Sequence, residues 1–188
     1  MAIRHGAARR LPRIVLSNLG VPLALLLIVP NINAAGLPLV AQIALTLAVV
    51  VPLGPMIYRL AYQPIAEAPV LILLIVSVAV HVVLIGLGLL FFGAEGTRTP
   101  AFTDGTLDLG VTTLQYQTLW ILAISAVLIV ALYAFFGRTL YGKALRATAL
   151  NRTGARLMGI STTMAGKLSF TLAAMIGTFS GILISPIT

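Results

Sequence analysis

The sequence predicts an all-α, polytopic transmembrane helical protein of about five spans, on three observations. First, 60% of the 188 residues are hydrophobic and only 9% are charged, and the mean hydropathy is +1.09; ordinary soluble domains carry more charge and less apolar side chain. Second, the apolar residues gather into runs of about the length needed to cross a bilayer. Third, the Lys and Arg residues fall in the joints between runs and concentrate on alternate joints. A net charge of +8 in a soluble chain would suggest nucleic acid, but charge placed between apolar runs points to a membrane surface instead. Cysteine is absent, which excludes a disulfide framework and thiolate metal ligands.

Residues 1–13 form a short basic tail with Arg4, Arg9, Arg10 and Arg13 and no acid. The first apolar run, residues 14–30, is long for a secretory signal core and is followed by a weak cleavage site, so it is read as a span. A polar joint at 31–36 leads to the second run, 37–57. Pro52, Gly54 and Pro55 stand near its far end, where they predict that the helix terminates, since proline is tolerated near helix ends, the alternative being a functional bend or break whose freed carbonyls neighbours satisfy. A joint at 58–69 holds Arg59, Tyr62, Pro64 and Glu67, and the third run, 70–92, has His81 as its one ionisable residue. Gly, Thr and Pro recur between 93 and 117, with a turn signal at Asp104-Gly105, so an exposed loop with a little β structure is expected there. The fourth run, 118–136, begins near Trp120 and ends near Tyr133 and Tyr141, aromatics suited to headgroup depth. The fifth run goes from about Leu168 to the end of the chain.

Alternating the joints across a bilayer puts eleven basic residues on one side and only Arg98 on the other. The positive-inside rule assigns the basic side, with the N-terminus, to the cytoplasm.

Residues 137–160 are the one long basic, acid-free segment between two apolar runs. Within it Asn151 can cap a short helix over Arg152 to Met158, Gly159 fits the position just past its end, and Ser161 or Thr162 can cap the next helix. Arg152 and Arg156, four apart, share a face, with Ala155 and Met158 away from it. Charge alone allows such a helix to lie on anionic lipid.

The run YGKALRATALNRTGARLMGISTTMAGKLSFTLAAMIGTFSGILI, residues 141–184, resembles the corresponding region of permease subunits of ABC importers for branched-chain amino acids, of the LivH type. Gly142, Lys143, Ala144, Leu145, Arg146 and Ala147 match that family's G-[KR]-A-[LIM]-R-A segment, and Ala155, Gly159 and Ile160 match the helix and stop that follow it. RLAYQP at 59–64 resembles the family's E-R-x-A-Y-R-P joint, with Tyr58 in place of the Glu and Gln63 in place of the second Arg. Thr153, Gly154, Ala155 and Gly159 stand at the E-A-A-x3-G pattern of importer permeases, without its acid. The N-F-A-H-G-like motif near the start of relatives is missing, and relatives continue through further spans. The resemblance thus implies a permease truncated at both ends.

It also implies a single, partial transmembrane permease domain over 1–188 in a bacterial inner membrane, with 137–167 as a cytoplasmic coupling loop. Asn151, Arg152, Thr153, Gly154, Ala155, Arg156 and Gly159 would form the helix that ATPase subunits push. Implied partners are those ATPase subunits, carrying ATP and Mg, a second permease subunit, an extracytoplasmic substrate-binding protein and membrane lipid, with no nucleic acid. The chain itself lacks a phosphate-binding loop, so it is expected to carry no cofactor. Urea or short amides are the alternative solutes.

Two His, no Cys and no acid inside any run argue against an intramembrane enzyme or a metal site, so no catalytic residue is expected. A channel or a small structural membrane protein is the reading from another class. His81 is expected to bond a neighbouring helix or to line a path. Ala173, Gly177, Gly181 and Ser185 form a small-residue stripe expected to pack against a helix; the resemblance implies that such a helix can also border the translocation path. Thr171, Thr178 and Ser180 could bond substrate or helices.

Overall fold

A computed structural model of the chain describes residues 36–95, 99–103, 105–108 and 113–187. The basic tail, the first apolar run at 14–30 and Arg98 lie outside the described residues, which hold four helices long and apolar enough to cross a membrane.

The first of these covers Leu39–Ile65 in sections. Helix α1, Leu39–Val50, starts after Pro38 in extended conformation. Helix α2, Leu53–Ile57, follows after a turn at Val51 and Pro52, then a π-helical turn, Tyr58–Tyr62, and a 3-10 turn, Gln63–Ile65. The termination predicted at Pro52 to Pro55 is therefore corrected: helical structure runs on into the expected joint. The prolines remove two donors, but Gly54 N still donates to Val51 O at 3.1 Å. What carries the helix through is a tertiary contact. Gly54 is buried, and a Cβ there would collide with the Phe170 carbonyl and lie 2.8 Å from Ala174 Cβ.

Helix α3, Val70–Phe92, has the bounds of the predicted third run and ends at Gly93 with φ 78°, a conformation that favours glycine. Its 23 residues measure roughly 35 Å at 1.5 Å per residue, enough for a hydrocarbon core of ~30 Å. The expected β structure is a two-stranded antiparallel hairpin, β1 Thr106–Asp108 and β2 Thr113–Gln115, with Leu107 opposite Leu114.

Helix α4, Tyr116–Arg138, takes the chain back. Thr139 then ends one helix and caps another: its hydroxyl donates to Phe135 O at 2.7 Å and accepts from Gly142 N at 3.0 Å. The result is helix α5, Leu140–Leu150, folded against the end of α4, followed by the short helix α6, Arg152–Leu157, and the last span α7, Thr162–Ile184.

Helix α7 is the centre of the packing, in contact with α1, α2, α4, α5 and α6. Small residues permit the closest approaches. Gly54 meets Phe170 and Ala174, and Gly166 leaves room for the Tyr58 ring, which a Cβ would strike. Tyr58 and Tyr62 place their rings 5.4 and 4.7 Å from that of Phe170, within the range of favourable aromatic pairs. At the hairpin end, buried Gln117 donates to Leu183 O at 2.9 Å and accepts from Phe102 N at 3.2 Å. It thereby satisfies one of the carbonyls orphaned at the end of α7. Helix α3 has no buried residue and meets the rest chiefly at the π-helical turn, where the Tyr62 hydroxyl donates to Ser77 Oγ at 3.0 Å. Large apolar side chains exposed along α3 and α4 suit lipid rather than water.

Candidate functional site

The short helix α6 is defined at both ends by local chemistry. Asn151 is extended, and its Oδ1 accepts from Gly154 N at 2.9 Å, filling one of the donors left open at a helix start. At the other end Gly159 has φ 80°, with Gly159 N donating to Arg156 O at 3.0 Å and Ile160 N to Ala155 O at 2.9 Å. Those two bonds form a complete Schellman stop, which needs the left-handed residue that glycine supplies. Ser161 Oγ accepts from Met164 N at 3.3 Å and starts α7, so few residues separate the short helix from the central span.

Arg152 and Arg156 share a face, as their spacing predicts, and both, though exposed, reach across to the segment at Ala66 and Glu67. Arg152 Nη1 donates to Ala66 O at 2.8 Å. Arg156 Nη1 pairs with Glu67 Oε1 at 2.9 Å, and its Nε donates to Thr162 Oγ1 at 3.2 Å. The two guanidinium groups therefore tie α6 to the segment that follows the 3-10 turn. Ala155, on the same short helix, is buried. The outward side of α6 is apolar: Leu157 and Met158 are each 83% exposed, and Thr153 is exposed with them.

Below the clamp is a cavity of about 580 Å³, lined by Tyr58, Tyr62, Glu67, Thr148, Arg152 and Arg156 among others. A second cavity, about 480 Å³, lies between α1 and α7 toward the hairpin end, with Gln42, Ile43, Thr46, Gly177, Thr178 and Gly181 in its wall. Phe170, which lines the first cavity, and Ala174, one turn further along α7, are the residues packed on Gly54.

The remaining expected site residues separate accordingly. Gly177 and Gly181 border the second cavity, and a Cβ at either would meet nothing within 4 Å. The close helix packing expected of their stripe is supplied instead by Gly54 and Gly166, because α2 crosses α7 lower down. Thr178 lines the same cavity, but its hydroxyl donates to Ala174 O at 2.6 Å; Thr171 likewise donates to Lys167 O at 2.8 Å. His81 is exposed midway along α3, and the helix–helix hydrogen bond expected for it is absent among the described residues.

Sequence reasoning passed over Tyr58, Gln117 and Glu67. Glu67 was the findable one: it is the lone acid on the basic side, and a lone acid among cations invites a partner.

The family described as branched-chain amino acid transport system, permease component, matches residues 14–188. The high-affinity branched-chain amino acid transport system permease protein LivH of Escherichia coli (strain K12) is 28% identical over 139 residues, 70% of this chain and 44% of that protein. The proteins of the same description from Salmonella typhimurium and Salmonella typhi give the same figures. The chain thus spans less than half the length of these curated relatives. No solved structure matches it.

Proposed function

The chain belongs to the family of permease components of branched-chain amino acid transport systems, and from that premise we propose that it is a transmembrane subunit of an ATP-driven importer of branched-chain, hydrophobic amino acids. The observation that carries the reading is the construction of α6. It is capped at both ends, clamped by Arg152 and Arg156 to the segment that directly follows the first described span, and joined closely to the central helix α7. Force applied to its outer side would reach two spans at once.

ATPase subunits, binding ATP and Mg, would press on Thr153, Leu157 and Met158 from the cytoplasm, where the basic joints lie by the positive-inside rule. Displacement of α6 would then shift α7 against α2 at Gly54, whose partner Phe170 lines the first cavity. The cavity between α1 and α7 has the size and mainly apolar wall expected of a small hydrophobic solute site. A second permease subunit and an extracytoplasmic binding protein would complete the importer.

The test is leucine uptake and substrate-stimulated ATPase activity of the assembled transporter carrying Leu157→Asp or Gly159→Val. Leu157→Asp alters only an exposed position, so insertion and thermal stability should persist while coupling falls. Unaltered uptake and ATPase stimulation in both variants would overturn the assignment of α6.

A further inference from the structure

The second helix of the basic segment, α5, uses its charges differently. Lys143 and Arg146 are exposed, and their side chains make no hydrogen bond or ion pair among the described residues. At helical spacing they lie beside Leu140 and Leu150, which are 82% and 89% exposed. The opposite face, with Gly142, Leu145 and Thr148, is buried. Exposed leucines next to unpaired cations are poorly suited to bulk water, whereas an interface with apolar tails below and phosphates above suits both.

The position of the helix agrees. Helix α4 has 23 residues, roughly 35 Å of helix, so its last turn emerges from ~30 Å of hydrocarbon into the headgroup layer. Helix α5 folds back there: Gly142 sits against the Phe135 carbonyl, and a Cβ at 142 would lie 2.7 Å from Phe136 Cα. An apolar groove of about 300 Å³ runs alongside, between Leu140, Tyr141 and Ala144 of α5 and Ile160, Met164 and Leu168. Leu140 belongs to both the groove and the exposed stripe.

We propose that this face of α5 is a binding surface for anionic phospholipid, with Lys143 and Arg146 meeting the phosphates and the groove receiving the upper part of an acyl chain. The commitment to lipid rests on charge complementarity, since among the described residues no acid pairs with the two cations, and on the groove, which opens beside a transmembrane helix. The surface is distinct from the apolar outer side of α6 assigned to the ATPase.

The chain has no cysteine, so Leu150→Cys can carry a spin label at a unique site. In nanodiscs of phosphatidylcholine containing phosphatidylglycerol the label should be immersed, shielded from an aqueous relaxant. Lys143→Gln with Arg146→Gln, or high salt, should release it. Retention of phosphatidylglycerol over phosphatidylcholine in native mass spectra should fall about fivefold for each charge removed, as expected for basic residues near an anionic surface. A label that stays in water in the phosphatidylglycerol discs, or immersion indifferent to both charges and to lipid composition, overturns the proposal. So does a label that becomes shielded only when ATPase subunits are added, which would give this face to a protein.

Discussion

Helices α5 and α6 are neighbours in one basic, acid-free segment, yet they use their cations in opposite ways. In α6 both arginines are tied to another element, at the Ala66 carbonyl and the Glu67 carboxylate, and leave an apolar outer side. In α5 the inner face is small and uncharged, while Lys143 and Arg146 face out. Charge density assigns the segment to one side of a membrane but does not say what each charge does. That depends on whether a partner on another element comes within reach. A guanidinium with a carbonyl or carboxylate at 2.8 to 2.9 Å acts as a tie; an ammonium without one remains available to lipid or to another molecule.

The largest effect on this contrast should come from Ala155→Asp. Ala155 is buried where α6 meets the body of the protein, and a carboxylate there would lose its hydration. Leaving a charge buried without a designed partner costs about 3 kcal/mol or more. The detergent-solubilised full chain should lose α6 docking, seen as a marked drop in melting temperature and rapid proteolysis near residue 157. A melting temperature equal to the unsubstituted chain's would mean that α6 is not clamped.

A matched pair of neutralisations sharpens the comparison further. Arg152→Gln removes the donor to Ala66 O and should destabilise the chain by about 1 kcal/mol, a usual net value for a hydrogen bond. Lys143→Gln, which breaks no bond among the described residues, should change thermal stability by less than about 0.5 kcal/mol, as exposed substitutions do. Equal losses from the two would erase the distinction between tying and free cations.

The contrast was only half legible in the sequence, for a physical reason. The Asn151 cap, the Gly159 stop and the Ser161 start are local, because each is satisfied by backbone groups within a few residues. They could be read from spacing alone, as could α3, whose bounds are set by uninterrupted apolarity between Pro69 and Gly93. The partners of Arg152 and Arg156 lie 86 and 89 positions away, and no local pattern reports them. The same holds at Pro52 and Pro55, whose local signal is helix termination; Phe170 and Ala174, far along the chain, let the helix continue past Gly54. Helix α5 escaped notice because its buried face offers Gly142, Leu145 and Thr148, a weak apolar stripe. The side chain that starts it, Thr139, is a common loop residue.

The smallest expected effect concerns the ion pair itself. Arg156 and Glu67 meet at 2.9 Å with side chains 50% and 78% exposed, so solvent screening leaves the pair worth about 0.5 kcal/mol at most. Glu67→Gln should therefore barely move the melting temperature, and Arg156 keeps its bond to Thr162 Oγ1. The pair is better regarded as fixing a position than as supplying stability. Its removal should loosen the segment around residue 67 relative to α6, read as faster amide exchange at 66–68 with exchange across α7 unchanged. The reversal Glu67→Arg with Arg156→Glu tests direction: a double-mutant cycle with a coupling energy near zero, and unchanged exchange in Glu67→Gln, would show that Arg152 alone holds the clamp.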